Sequence, residues 1–364
     1  MEKTTMAKIV YGVAGEGSGH SSRAREIASH LRDAGHDLWL ASYDRGYRNL
    51  CEEFRVLEIE GLCIGSEDNR VSLAKTITEN LKRLPAGNRA WHRLREQLFD
   101  AFQPDCVITD FEPMTAYLAQ QSDLPLITLD NQHRMRYLEY ECPPGLEFDS
   151  QVTLNIIRAM VPWPDVSLVT AFCPGKTTND RTFVFPPILR QELFACQPRD
   201  EGHVLVYVTR AFDSLINELQ RLPREHFMVY GFDRTGEADH LTYKPFSRQG
   251  FLDDLASAKA VIATAGFTLI SEALFLRKPY LALPMQGQFE QELNAFQLAQ
   301  LGYGKRVTDL TAESIGDFLY RLPDYRSRLA QYQGCDAAAI EGKLDELLAD
   351  DCRLARQFHA ARQR

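Results

Sequence analysis

Residues 260–295 constrain the fold of this chain more than any other stretch. They open on an apolar run, Ala260 to Ala263, pass through a small-residue turn at Ala265 and Gly266, and enter a helical segment at about Thr268. A second apolar run lies between Pro279 and Pro284, followed by the polar set Glu290, Gln291 and Asn294. Apolar runs alternating with helical segments predict parallel strands covered by helices. A strand that turns directly into a helix leaves the first N–H groups of that helix free to face an anion. Glu272, about one turn into the helix, supplies a carboxylate that can accept from two ribose hydroxyls. Glu290, Gln291 and Asn294 suit the hydroxyls of a sugar. The segment thus offers partners for diphosphate, ribose and sugar in order, which is what a nucleotide-sugar site requires.

In order and spacing, Gly266, Phe267, Thr268, Glu272, Pro279, Pro284, Glu290, Gln291, Asn294 and Ala295 resemble the donor-binding signature of the UDP-glycosyltransferases. The related bacterial enzyme that adds N-acetylglucosamine to the lipid-linked peptidoglycan precursor shares that signature. Two departures stand out. Thr268 follows Phe267 without the intervening residue, and Thr264 occupies a place where many relatives have histidine. A threonine hydroxyl still donates to phosphate but brings no charge. The resemblance implies an α/β fold of two Rossmann-like domains facing across a cleft (GT-B), with the final helix crossing back to the first domain.

A strand, loop, helix, strand order also opens the chain. Lys8 to Val13 is apolar, Gly15 to Gly19 is glycine-rich, and Ser21 to Ala34 carries Ala24, Ile27, Ala28 and Leu31 on one helical face. Gly35 is a candidate helix terminator before the strand Asp37 to Ala41. A dinucleotide fingerprint would need a third glycine at position 20, where the chain has His20. The loop Gly17-Ser18-Gly19-His20 instead resembles the amino-terminal loop of the same glycosyltransferases, whose histidine takes the acceptor proton. An imidazole suits that task near neutral pH. Asp110 ends a predicted strand, Cys106 to Thr109, where the resemblance implies a carboxylate that orients the histidine. A helix-capping role for Asp110 is the alternative. Arg23 either serves phosphate or acceptor charge or is exposed helix surface.

Asn131, Gln132 and His133 follow the predicted strand Leu126 to Leu129. They resemble in placement the polar segment facing the acceptor in the peptidoglycan enzyme, and Arg134 and Arg136 add positive charge beside them. Gly17 and Gly19 let backbone approach the acceptor closely. In the second half, Arg210 follows the strand Val204 to Val208 and is a diphosphate candidate that offsets the missing histidine. Phe246, after Lys244-Pro245, is the candidate base contact. Phe185-Pro186-Pro187 stiffens the chain and marks a domain boundary, giving an acceptor domain 1–186 and a donor domain 187–364.

The chain of 364 residues is 45% hydrophobic, enough for two cores. Its formal charge of −9 argues against a nucleic-acid partner. None of the eight cysteines forms a CxxC pair and no Asp-x-Asp occurs, so no metal ligand set is expected. The start leads directly into a strand, and no apolar run approaches the ~20 residues that span a bilayer. The expectation is a cytoplasmic protein, with peripheral contact to the cytoplasmic membrane face left open by the resemblance. The activity expected is inverting, metal-independent transfer of a sugar from a UDP-linked donor, without a cofactor, to a hydroxyl on a lipid, glycan or metabolite. A UDP-sugar epimerase or hydrolase, and a non-enzymatic sugar-nucleotide binder, are the alternatives.

Overall fold

The computed structural model describes residues 6–61, 66–67, 70–71, 89–208, 213–232, 234–334 and 337–363. Its first half carries strands β1 (Lys8–Val13), β2 (Asp37–Ser42), β3 (Val56–Glu58), β6 (Cys106–Asp110), β7 (Leu126–Asp130), β8 (Val166–Thr170) and β9 (Thr182–Phe185); a two-stranded ribbon, β4 (Ser66–Glu67) and β5 (Arg70–Val71), stands apart. The helices here are α1 (Gly19–Asp33), α2 (Asp44–Leu50), α3 (residues 89–101, ending in a π-type turn), α4 (Pro113–Gln121), α5 (Arg134–Tyr137) and α6 (Glu147–Met160). The second half carries β10 (His203–Tyr207), β11 (His226–Tyr230), β12 (Gly236–Ala238), β13 (Leu241–Tyr243), β14 (Ala260–Thr264), β15 (Tyr280–Leu283) and β16 (Gly304–Arg306). Around them lie α7 (Gln191–Phe194), α8 (Asp213–Gln220), α9 (Arg248–Ser257), α10 (Phe267–Phe275), α11 (Phe289–Gln300), α12 (Ala312–Tyr320), α13 (Leu322–Leu329) and α14 (Ala337–Arg362).

Two seven-stranded sheets result, in the orders β3-β2-β1-β6-β7-β8-β9 and β12-β13-β11-β10-β14-β15-β16. Every pairing in them is parallel except β12 with β13. Central strands such as β6 and β14 are buried along their whole length, as expected when helices cover both faces of a parallel sheet. In each sheet the strand order reverses once near the middle, at β1/β6 and at β10/β14. Crevices that receive ligands open at such reversal points, beyond the carboxyl ends of the strands. The loop after β1, the loop after β6 and the turn after β14 therefore lie where ligand chemistry is placed.

The predicted face of α1 forms: Ala24, Ile27, Ala28 and Leu31 are buried against Ile9 and Tyr11 of β1. The helix starts at Gly19, two residues earlier than the sequence suggested, so His20 lies in its first turn. Gly35 follows the helix with φ +91°, a conformation that a β-carbon disfavours. Ile340, Leu344, Leu347 and Leu348 of α14 belong to this same first-half core, so the end of the chain packs on the first sheet. The helical geometry of α14 is interrupted from Ala349 to Cys352. Residues 72–88 lie outside the described residues, and α3 follows them.

Candidate active site

Asp110 is the last residue of β6 and is wholly buried. Phe111 then takes φ +57°, turning the chain so that Glu112, not Asp110, caps α4. Glu112 accepts from the N–H groups of Met114 and Thr115, both at 2.8 Å, and from the Thr115 hydroxyl at 2.6 Å. The helix-capping alternative for Asp110 therefore falls to its neighbour.

Asp110 is left facing α1. His20 Nδ1 lies 2.7 Å from its Oδ1. Arg23 donates from Nε to Oδ2 at 2.9 Å and from Nη2 to Oδ1 at 2.6 Å. His20 and Arg23 lie three residues apart and so share one helical face. Burial opposes ionisation of Asp110, yet Arg23 and His20 together outweigh it and hold the carboxyl below its ordinary value. An ionised Asp110 accepts a hydrogen bond from Nδ1–H, which leaves the Nε2 lone pair of His20 as the basic site. Arg23 is 4% exposed, so the surface-helix reading of this residue does not hold.

The network continues across the two halves. Arg23 Nη1 donates to Asn131 Oδ1 at 3.3 Å, and Asn131 Nδ2 donates to Glu290 Oε1 at 2.7 Å. Gln132 Nε2 reaches Glu290 Oε2 at 3.1 Å. Arg134 donates to Asn294 and, at 3.0 Å, to Gln297 Oε1, and its guanidinium lies over the rings of Phe172 and Phe267. Asn294 in turn donates to the Ala265 carbonyl at 2.9 Å, fixing the turn before α10. Expected acceptor and donor groups thus bond to one another in this conformation. His133 is different: it is wholly buried, with Nδ1 2.7 Å from Asp130 Oδ2 and its ring stacked on Tyr137. Its ring is therefore not presented at the surface in this conformation.

The two glycine turns meet. A β-carbon on Gly19 would lie 2.6 Å from Thr268 Oγ1, so any larger residue here would displace that hydroxyl or part α1 from α10. Gly17, with φ +78°, and Gly266, the N-cap of α10, have open space where a β-carbon would point. Among the described residues, no side chain caps the start of α10. Thr264 and Phe267 are buried beside it. Phe246 is 62% exposed at the end of an aromatic group formed with Tyr207 and Phe251. Gln291 is used locally, accepting from the Met285 N–H at 3.1 Å and donating to Gln288 Oε1 at 2.6 Å. Arg210 lies outside the described residues.

Glu272 is 1% exposed and is gripped by Arg190, Nε to Oε1 and Nη2 to Oε2, both at 2.7 Å. Burial raises its pKa while Arg190 opposes the rise. The sequence carried no signal for Arg190, which is 82 residues from its partner. Among the described residues, no group of three or more His, Cys, Asp or Glu side chains could hold a metal ion, and no helix is long and apolar enough to cross a membrane.

The family model for glycosyl transferase family 1 matches residues 7–323. Proteins described as uncharacterized glycosyltransferases from Methanosarcina acetivorans and Methanosarcina mazei are each 25% identical, covering 85% of this chain and 85% and 88% of their own length. Among solved structures, the calicheamicin glycosyltransferase CalG4 superposes with a TM-score of 0.67 at 17% identity, over 94% of this chain and 98% of its own. The kitacinnamycin glycotransferase gives 0.66 at 16%, over 98% and 99%. The glycosyltransferase VinC, in complex with dTDP, gives 0.60 at 14%, over 96% and 100%. The shared architecture is the two-domain GT-B fold.

Proposed function

Because this chain belongs to glycosyl transferase family 1, we propose that it moves a sugar from a pyrimidine nucleoside diphosphate, UDP-linked in the first instance, to an acceptor hydroxyl with inversion. The observation that carries this reading is the His20–Asp110 pair, 2.7 Å apart at the reversal point of the first sheet, beside the contact of Gly19 with Thr268 at the start of α10. His20 Nε2 takes the acceptor O–H proton. The acceptor oxygen then bonds to the anomeric carbon as the bond from that carbon to the phosphate oxygen breaks, and the diphosphate leaves with the electron pair. Uncapped N–H groups at the start of α10 stabilise the charge that develops on the leaving group. Asp110 fixes the imidazole tautomer and balances its positive charge.

The expected donor contacts lie around α10 and at Phe246, whose exposed ring offers a stacking face to a base. Asn131, Gln132 and Glu290 are proposed to exchange their mutual bonds for substrate hydroxyls. The test is release of UDP from UDP-sugars with a panel of hydroxyl acceptors, by wild type and His20→Ala. Transfer should fall by about 10²–10⁴ while UDP affinity holds. Equal turnover by the variant would remove His20 from the mechanism. Free sugar or an epimer formed without acceptor would favour the hydrolase or epimerase alternative.

A further inference from the structure

We infer that Arg134 binds a small monovalent anion, a halide or a formate-sized carboxylate, in a cavity lined by both halves of the chain. Other arginines of the cleft have a carboxylate each: Arg23 has Asp110 and Arg190 has Glu272. Arg134, 2% exposed, does not. Its Nη1 donates to Gln297 Oε1 at 3.0 Å and its Nη2 to Asn294 Oδ1, both neutral amides. Among the described residues its Nε has no hydrogen-bond partner. The rings of Phe172 and Phe267, 5.9 and 5.7 Å away, add only the attraction of aromatic faces. A guanidinium stays protonated, and one withdrawn from water is strongly disfavoured without an anion beside it.

The neighbours that could supply negative charge are neutral or engaged. Burial pushes the Cys173 thiol and the Tyr140 phenol up, so both are uncharged at neutral pH. Glu290 acts on Arg134 through space, but its oxygens accept from Asn131 at 2.7 Å and Gln132 at 3.1 Å. Glu139 is exposed and pairs with Lys176 at 3.1 Å. The cavity lies against the guanidinium, with Tyr140 and Cys173 lining it from the first half and Leu293 and Gln297 from the second. Its volume of about 10 Å³ is room for one water-sized group. That is too little for a nucleotide or a sugar and suits a single anionic atom, or one oxygen of a carboxylate, on Nε. The protonated Cys173 thiol is a weak donor to the same anion. With both halves lining the cavity, the bound anion stabilises their contact in this conformation.

Soaking wild-type crystals in bromide tests the assignment. An anomalous peak in contact with Arg134 Nε is expected, and water alone at that place, or no peak, overturns the inference. Thermal unfolding at constant ionic strength, with sodium chloride or sodium formate replacing sodium gluconate, tests it in solution. At ten times its dissociation constant the bound anion should raise the wild-type midpoint by about 1–2 °C relative to Arg134→Gln. Equal shifts in the two proteins are a general salt effect and would count against the site. A shift with chloride only assigns a halide, and one with formate only assigns a carboxylate. Should Arg134→Gln fail to fold, the bromide soak decides. Neither measurement depends on the transferase reading.

Discussion

Arg23 holds Asp110 through two hydrogen bonds, Nε to Oδ2 at 2.9 Å and Nη2 to Oδ1 at 2.6 Å. The carboxylate that orients His20 is therefore also the counter-ion of a buried guanidinium. Asp110 Oδ1 is shared by Arg23 Nη2 and His20 Nδ1, while Oδ2 is held by Arg23 Nε. It also brings Arg23 Nη2 within 3.3 Å of His20 Nδ1, so part of the negative charge available to an imidazolium is already balanced. In this site, orientation is gained at some loss of field.

Replacing Arg23 by methionine should destabilise the protein by about 3–5 kcal/mol at neutral pH, since a buried carboxylate loses its main partner. The pH dependence has a defined sign. The folded pKa of Asp110 is depressed, so its stabilising contribution is present above the unfolded value and is lost as pH falls through the folded one. In Arg23→Met burial is left to dominate and the folded pKa rises, so the loss of stability on acidification from this group should shrink or reverse relative to the wild type. Urea unfolding across the acid range measures both effects.

The approach of Gly19 to Thr268 gives a second test. A β-carbon at Gly19 would lie 2.6 Å from the Thr268 hydroxyl but 3.7 Å from its β-carbon. Gly19→Ala should therefore force the hydroxyl or the lobes to move, and lower the transfer rate at least about tenfold through misplacement of reacting groups. Thr268→Ala removes the clashing atom, so the double variant should recover most of the loss beyond the effect of Thr268→Ala alone. A double-mutant cycle on transfer rate reads the coupling. Additive effects would mean that the contact does not set the catalytic geometry.

Lys278 supplies an alkaline test. Burial, reinforced by Arg326 and Arg199 and opposed by Asp200, pushes its pKa down to about 8, while Nζ donates to the Arg199 carbonyl at 2.6 Å. Its folded pKa is below the ordinary value of 10.5, so between those two pH values the unfolded chain binds more protons. Stability should rise with pH across that window, by about 3 kcal/mol at most from this group. Lys278→Met should lose the rise. The difference between wild-type and variant denaturation midpoints over pH 7.5–10.5 is the measurement.

The resemblance of residues 260–295 to a donor-binding signature implied the two-domain glycosyltransferase fold, while local pattern determined the alternation of strands and helices, the two glycine turns and the α1 face of Ala24, Ile27, Ala28 and Leu31. These follow from short-range rules: buried parallel strands are continuous apolar runs, covering helices repeat every 3.6 residues, and tight turns need small residues. Only tertiary structure decided the partners of the charged groups. Arg23 could not be told from a surface arginine until β6 brought Asp110 beside α1. Glu272 showed no partner in the sequence, and Arg190, which holds it in this conformation, lies on the segment joining the two halves. Asn131 and Glu290 are 159 residues apart and meet only when the lobes do. Ion pairs form through space at a cost of desolvation set by burial, and neither separation nor burial is written in the spacing of residues along the chain.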